Sequence, residues 1–192
     1  AIEGTAYDLN IKMFNKLQHA ITGWPGGKPN SEFQKRPERS TPEKKRVVIF
    51  SPHPDDDVIS MGGTFDRLVE QNHEVHVVYQ TSGNIAVSNE EALKFAEIGY
   101  ALSSDNQYYK KIIDFVNQKN TTQQDSIELR KIKTLIRQKE SLGATRYLGL
   151  PDTQVHFLNL PFYETGTIKK SPLSKQDIDI MIAKINEIRS EE

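Results

Sequence analysis

The 192-residue chain contains no cysteine. That excludes disulfides, thiolate nucleophiles and cysteine-ligated metals, so a metal site here has only His, Asp and Glu to draw on. It also fits a reducing compartment, and the expected location is cytoplasmic. Neither sign of charge is in excess: 25 basic and 26 acidic residues leave a net charge of -1. No overall field draws the chain to nucleic acid or to an anionic membrane. Aromatic residues are scarce, at 8%, and they are not interleaved with basic ones as in nucleic-acid-binding surfaces. No apolar run approaches the ~20 residues of a membrane span. The start, Ala1-Ile2-Glu3-Gly4, lacks the basic and apolar regions of a signal peptide. There is no internal repeat and no low-complexity segment. The length suits one domain with a proper core plus an extension.

What the chain does have is concentrated between Val47 and Gly63. Val47-Val48-Ile49-Phe50 is apolar and rich in β-branching, which predicts a buried strand. Ser51-Pro52-His53-Pro54-Asp55-Asp56-Asp57 follows at once. Pro54 biases His53 toward extended backbone, and the acidic run suits the exposed N–H groups of a helix start. The local expectation is strand, tight loop, helix. In open α/β sheets ligands bind at that carboxyl end of the strands. His53 and Asp56 are suitable zinc ligands. Adjacent Asp55 and Asp56 should point different ways, leaving Asp55 free to take a proton. Asp57 is expected to cap the helix or to support the site from behind. Gly62-Gly63 suggests close backbone approach. The plain alternative is a solvated helix N-terminus beside a loop histidine, but the density of ligand types behind one strand favours a site.

This stretch, with Met61-Gly62-Gly63, resembles the signature of the PIG-L/LmbE-like zinc-dependent deacetylases, which remove acetyl groups from N-acetylglucosaminyl and related substrates. The family pattern usually ends in Glu where this chain has Asp57. The resemblance continues at Glu74 to Gly83, at Arg137-Gln138-Lys139-Glu140 and at Tyr147 to Asp152. It implies that His53 and Asp56 bind Zn2+, that Asp55 is the general base and that Arg137 meets the substrate. It also implies a third ligand, a histidine from a later motif, which is not found in this chain. With its leading helix and Pro/Gly-rich arm, the chain resembles LmbE-like domains that are fused to a glucosamine-6-phosphate deaminase-like domain. On that reading residues 1–23 are a docking helix or the tail of a preceding domain, residues 24–45 are the joint, and residues 46–192 are the deacetylase domain.

Periodicity sets the remaining expectations. Tyr7 to Thr22 reads as an amphipathic helix ended by Gly23, with His19 on its polar side. Trp24 to Lys45 carries four prolines and Gly26-Gly27 and reads as a linker. Ile59 to Asn72 predicts a helix with Phe65, Leu68 and Val69 inward, and Val75 to Tyr79 a second strand, so the unit is βαβ with parallel strands. His73 and His76 do not form a metal clamp, because an offset of three in a strand puts them on opposite faces. Thr81-Ser82-Gly83-Asn84 is either a site wall or an ordinary turn. Ser88 with Glu91 predicts a capping box and a helix to Leu102, and Gln107 to Gln118 predicts another. Residues 86–125 read as a helical insertion, either lidding the pocket or facing another domain. Ser126 to Leu142 predicts a long helix whose Lys131, Lys133 and Lys139 are mostly solvated. Tyr147 to Leu150 and Val155 to Leu160 predict strands, with His156 structural, and Lys175 to Arg189 predicts a last helix. Tyr163-Glu164-Thr165-Gly166 is a loop within reach of the pocket.

The expected fold is a Rossmann-like α/β three-layer domain around a mostly parallel sheet. The expected activity is metal-dependent hydrolysis of the acetamide of an N-acetylated amino sugar, as part of a larger amino-sugar enzyme. The alternative is a catalytically incomplete binding or oligomerisation module attached to a deaminase-like domain. The expected partners are a small amino-sugar substrate, a covalently linked upstream domain and a second copy of the chain.

Overall fold

The structure, a computed structural model, describes residues 5–10, 45–120 and 122–190. Residues 1–45 and 46–192 form two separate compact units. In the first, a helical turn covers residues 6–10. Thr5 and Asp8 cap it reciprocally: Asp8 Oδ2 accepts the Thr5 N–H at 2.8 Å and Thr5 Oγ1 accepts the Asp8 N–H at 3.3 Å. The rest of the expected Tyr7–Thr22 helix, His19, and the linker up to residue 44 lie outside the described residues.

The second unit is built on a parallel sheet of order β1-β2-β3, with β1 at Arg46–Ser51, β2 at Glu74–Tyr79 and β3 at Val155–Phe157. Val48 faces His76 and Ser51 faces Tyr79 across the first pair; Val77 faces Val155 across the second. The central strand explains itself: Val75, His76, Val77, Val78 and Tyr79 are all buried, as expected of a parallel strand covered on both faces. β1 is different. It lies at the edge of the described sheet, so only Ile49 and Ser51 are buried and Phe50 is exposed. The expectation of a uniformly buried first strand is corrected by that edge position.

Helix α1, Asp56–Glu70, connects β1 to β2 and buries Phe65 and Leu68. It is kinked at Met61, whose φ of -145° and ψ of 22° are not helical. Gly62 and Gly63 follow that kink, but a Cβ at Gly62 would come no closer than 3.7 Å to Val58 Cγ1 and one at Gly63 would meet nothing within 4 Å. The expected close backbone approach is therefore absent, and both positions have room for a side chain.

Helices α2, Asn89–Leu102, and α3, Gln107–Gln118, follow as expected. Ser88 Oγ accepts the Glu91 N–H at 3.0 Å, the first half of the anticipated capping box. Helix α4, Ile127–Tyr147, begins at the Ser126 cap, whose Oγ accepts the Leu129 N–H at 3.1 Å. These three helices share a core of Val87, Ala92, Ala96, Ile112, Leu129, Ile132 and Ile136. The described residues of 86–125 thus contribute to a packed layer, and none of these lines the cavity beside Asp55. The expectation of a lid there gives way to that packing.

Two further expectations are corrected. Tyr147 to Leu150 is not a strand: α4 runs on through Tyr147, whose side of the helix is exposed, and stops at Gly149 with φ 85°. The third strand is Val155–Phe157 only. Lys133 is not solvated. It is buried, with Nζ 2.8 Å from Asp125 Oδ2 and 2.7 Å from Asn89 Oδ1.

A polar chain ties the sheet to the last helix, α5, at Lys175–Ser190. His76 and His156 stack with ring centroids 5.3 Å apart and Nδ1 to Nε2 at 3.0 Å. Glu74 Oε1 stands 3.2 Å from His76 Nε2 and accepts from Arg46 Nε at 2.8 Å. Arg46 Nη1 donates to the Ile188 carbonyl at 2.8 Å. Both histidines are structural, as expected. Among the described residues no helix is long and apolar enough to cross a membrane.

Candidate active site

The site forms where β1 hands over to α1. Asp55 holds the N-cap position, and Asp56 and Asp57 open the first turn. Three consecutive carboxylates would repel one another if they shared a face. The backbone separates them, and each finds a different partner.

Asp55 points to α4. Its Oδ2 accepts from Arg137 Nη2 at 2.7 Å, and the same Nη2 donates to the Pro54 carbonyl at 3.0 Å. Arg137 Nη1 donates to Glu140 Oε2 at 2.6 Å. The guanidinium is thereby locked between the loop and its own helix. What the structure shows of Arg137 is that it holds Asp55 and the Pro54 carbonyl.

Asp56 points to His53. Its Oδ2 accepts the His53 backbone N–H at 2.9 Å and lies 3.1 Å from His53 Nδ1. Both side chains are partly open, at 50% and 34% exposure. Two donors bound to one zinc at about 2.0–2.2 Å each must stand about this far apart. The pair therefore fits a shared divalent cation as well as the direct contact. Among the described residues no group of three or more such side chains comes together to hold a metal.

Asp57 points into the core. It is 1% exposed. Tyr79 Oη donates to its Oδ2 at 2.8 Å, and its own N–H donates to Ser51 Oγ at 3.1 Å. Ser51 Oγ also donates to the His53 carbonyl at 2.6 Å. Asp57 is not the cap that one expectation made it. It is a buried brace joining β1, β2 and the loop that carries His53. Burial first, and the Asp57 charge second, push the Tyr79 hydroxyl far above the ordinary phenol range.

The turn after β2 supports the same loop. Thr81 Oγ1 donates to the Pro52 carbonyl at 2.7 Å. Gly83 has φ 63°, and a Cβ there would fall 2.7 Å from Pro54 Cδ and 3.4 Å from Arg137 Nε. Glycine is required twice over, by the left-handed backbone and by the proline against it. Gly83→Ala is expected to cost about 1–3 kcal/mol and to displace Pro54 and Asp55. Differential scanning calorimetry measures the first effect. An unchanged melting temperature would show that the loop moves aside freely.

Tyr163 belongs to the loop expected near the pocket, and its ring stands edge-on to His53 at 5.7 Å. Lys170 Nζ sits over the same ring, 3.3 Å from its centroid. Burial holds the Lys170 ammonium below the ordinary lysine range and, with the Glu164 charge, pushes the Tyr163 phenol up. Lys170, Tyr79 and Ser51 are not singled out by the sequence; only the alternation in β1 and β2, which turns Ser51 and Tyr79 to one face, could have signalled the last two. A cavity of about 260 Å³ opens beside Asp55, between α1 and the Arg137–Ala144 stretch of α4.

A parallel α/β sheet thus carries a histidine and three divergent carboxylates at the end of its first strand. The chain belongs to the PIG-L family, described as GlcNAc-PI de-N-acetylase, which matches residues 48–190. A glucosamine-6-phosphate deaminase-like protein of Bacteroides thetaiotaomicron is 52% identical over 198 residues, covering 98% of this chain and 30% of that protein. The chain thus spans less than a third of that curated relative. No solved structure matches.

Proposed function

We propose that this chain is the metal-dependent deacetylase region of a larger amino-sugar enzyme, hydrolysing the acetamide of an N-acetylated amino sugar. One observation carries the reading: at the loop matched by a de-N-acetylase family, His53 and Asp56 are paired while the neighbouring carboxylate, Asp55, is held apart by Arg137. His53 and Asp56 would hold the ion, and zinc suits a nitrogen–oxygen donor set. A bound divalent cation supplies Lewis acidity and a water of lowered pKa.

The chain's own residues account for the rest. Water adds to the acetyl carbonyl, and Asp55 takes the proton that this water gives up. The C–N bond then breaks, the proton passes to the leaving nitrogen, and the amine and acetic acid are the products, the acid then giving up its own proton to become acetate. Arg137 keeps Asp55 at a fixed angle, so its carboxylate need not reorganise as the proton moves. Tyr163, itself buried, packs edge-on against the His53 ring and helps to fix its orientation.

The test combines metal content and amine release. The chain should carry zinc close to one per molecule, and Asp56→Ala should lose it. With zinc, amine should appear from N-acetylglucosamine or its glycosides. Zinc held equally well by Asp56→Ala would overturn the ligand assignment. A folded chain that neither retains zinc nor releases amine would favour the other reading, a binding module attached to a deaminase-like domain.

A further inference from the structure

Tyr163 meets His53 from a segment that has no regular structure of its own. Leu158 and Leu160 still follow the sheet: their N–H groups donate to the carbonyls of Tyr79 and Gln80, each at 2.9 Å. Pro161 has no N–H to continue that pairing, and from there to α5 the chain runs without helix or strand. Such a segment holds a ring in place only where it is tied to the elements around it.

Two ties flank Tyr163. Before it, the Phe162 N–H donates at 3.0 Å to Oδ1 of Asp177, a buried residue in the first turn of α5. After it, Glu164 is held twice. Its Oε2 accepts from Asn84 Nδ2 at 3.0 Å, and its carbonyl accepts from Arg130 Nη1 at 2.7 Å. Asn84 is 1% exposed and opens the short helical turn Asn84–Ala86, directly behind Gly83. A side-chain amide buried to that degree must find its partner inside the protein, and the partner it finds is Glu164.

The Asn84–Glu164 contact closes a ring of contacts around His53. Thr81, three residues before Asn84, donates to the Pro52 carbonyl, and Gly83, one residue before it, lies so close to Pro54 that a Cβ there would fall 2.7 Å from its Cδ. The turn after β2 therefore supports the backbone on both sides of His53. Through Glu164 the same turn also fixes the residue next to Tyr163, whose ring stands edge-on to the His53 ring at 5.7 Å. Backbone and imidazole are thus set from one turn. The Glu164 charge also favours the Lys170 ammonium, which stands over the Tyr163 ring.

We propose that Glu164 is a positioning residue for His53, acting through its hydrogen bond to Asn84 and through the Tyr163 ring. The contacts stand without any assumption about the reaction; that His53 is thereby presented to a divalent cation rests on the deacetylase reading. Partners one step removed from a metal ligand typically change metal affinity by about 10–100-fold. Glu164 is two steps removed, so the lower end of that range, about tenfold, is the expected effect of losing its contact.

The test follows the His53 ring resonances of the full, metal-free chain by NMR, and its zinc affinity by competition with a chelating dye. Glu164→Ala removes the acceptor. Glu164→Gln keeps an oxygen facing Asn84. The double variant Asn84→Asp, Glu164→Gln exchanges donor and acceptor across the same contact. Glu164→Ala is expected to shift the His53 ring signals in a cooperatively folded chain and to weaken zinc binding about tenfold. Glu164→Gln and the exchanged pair should match the unaltered chain in both measurements. Should Glu164→Ala fail to fold, Asn84→Ala breaks the contact from the other side and should produce the same two effects. The proposal fails if a folded variant without the contact leaves the His53 signals unmoved, or if the exchanged pair behaves as Glu164→Ala does. An unaltered chain that takes up no zinc overturns the deacetylase reading alone, and the His53 signals still decide the role of Glu164.

Discussion

Asp55→Asn is expected to slow amine release by about 10²–10⁴-fold, the usual worth of a positioned general base, while zinc content and melting temperature stay close to those of the unaltered chain. The carboxamide has the same shape. Its carbonyl oxygen can still accept from Arg137 Nη2, which lies 2.7 Å from Oδ2, but it cannot take up a proton. The Asp55 side chain is 42% exposed, so the lost ion pair is worth at most about 1 kcal/mol. The folding and catalytic consequences are therefore well separated. Asp56→Ala makes the contrast, because it removes the oxygen that faces His53 Nδ1. Measuring kcat together with zinc content distinguishes the two roles. If Asp55→Asn keeps its rate, the proton goes elsewhere. If it loses zinc instead, Asp55 is a ligand and the division of labour among the three aspartates is different.

The divergence of the three carboxylates to separate partners is largely legible in the amino-acid sequence. A proline on each side of His53 and an acidic run behind a β-branched strand leave few backbone paths, and neighbouring residues on a non-helical turn diverge. What the residues themselves do not reveal is the far partner. Arg137 lies 82 positions from Asp55. Nothing in the helix's own pattern separates it from Lys139, and only the family resemblance singles it out. Asp57 is harder still. Its surroundings, Ser51 and Tyr79, are polar residues at the end of apolar strands, and only their register across β1 and β2 brings them to one buried carboxylate.

The fold is legible where periodicity and capping agree. Gln107–Gln118 has the expected bounds, and Asn89–Leu102 starts at its Ser88 cap. Legibility fails at Tyr147–Leu150, where aromatic and aliphatic residues look like a strand but end a helix that Gly143 does not stop. A Cβ at Gly143 would meet nothing within 4 Å, so that glycine is a spacer in an open helix face. Lys133 departs from expectation for a different reason. Leu129, Ile132, Lys133 and Ile136 form the buried stripe of α4. Spacing alone puts the lysine among apolar neighbours; its charge argues for solvent, and a carboxylate eight residues back decides otherwise.

That carboxylate carries the second large prediction: Asp125→Ala should destabilise the domain by about 3–5 kcal/mol, the cost of leaving buried charge without its counter-ion. Asp125 pairs with Lys119 through Oδ1 and with Lys133 through Oδ2, and the three side chains are only 13%, 10% and 6% exposed. Lys119 caps α3, Lys133 belongs to α4, and the Lys133 ammonium also reaches Asn89 at the start of α2. One carboxylate therefore joins three helices, and its loss strands two ammonium groups. For a domain of this size the melting temperature should fall by about 6–20 °C. The pH dependence has a definite sign. Burial opposes the charge on Asp125, but the bonds from Lys119 and Lys133 more than offset it and hold the carboxyl below the usual aspartate range. A group whose pKa is depressed on folding contributes stability above its unfolded value, about 3.9, and loses that contribution as the pH falls through the folded value. Urea unfolding at neutral pH should therefore show the full gap between Asp125→Ala and the unaltered chain, and the gap should narrow below about pH 4. Equal stability at neutral pH would mean that the two lysines reach water when the carboxylate is removed. A gap that persists undiminished in acid would mean that the contribution is one of packing and not of charge.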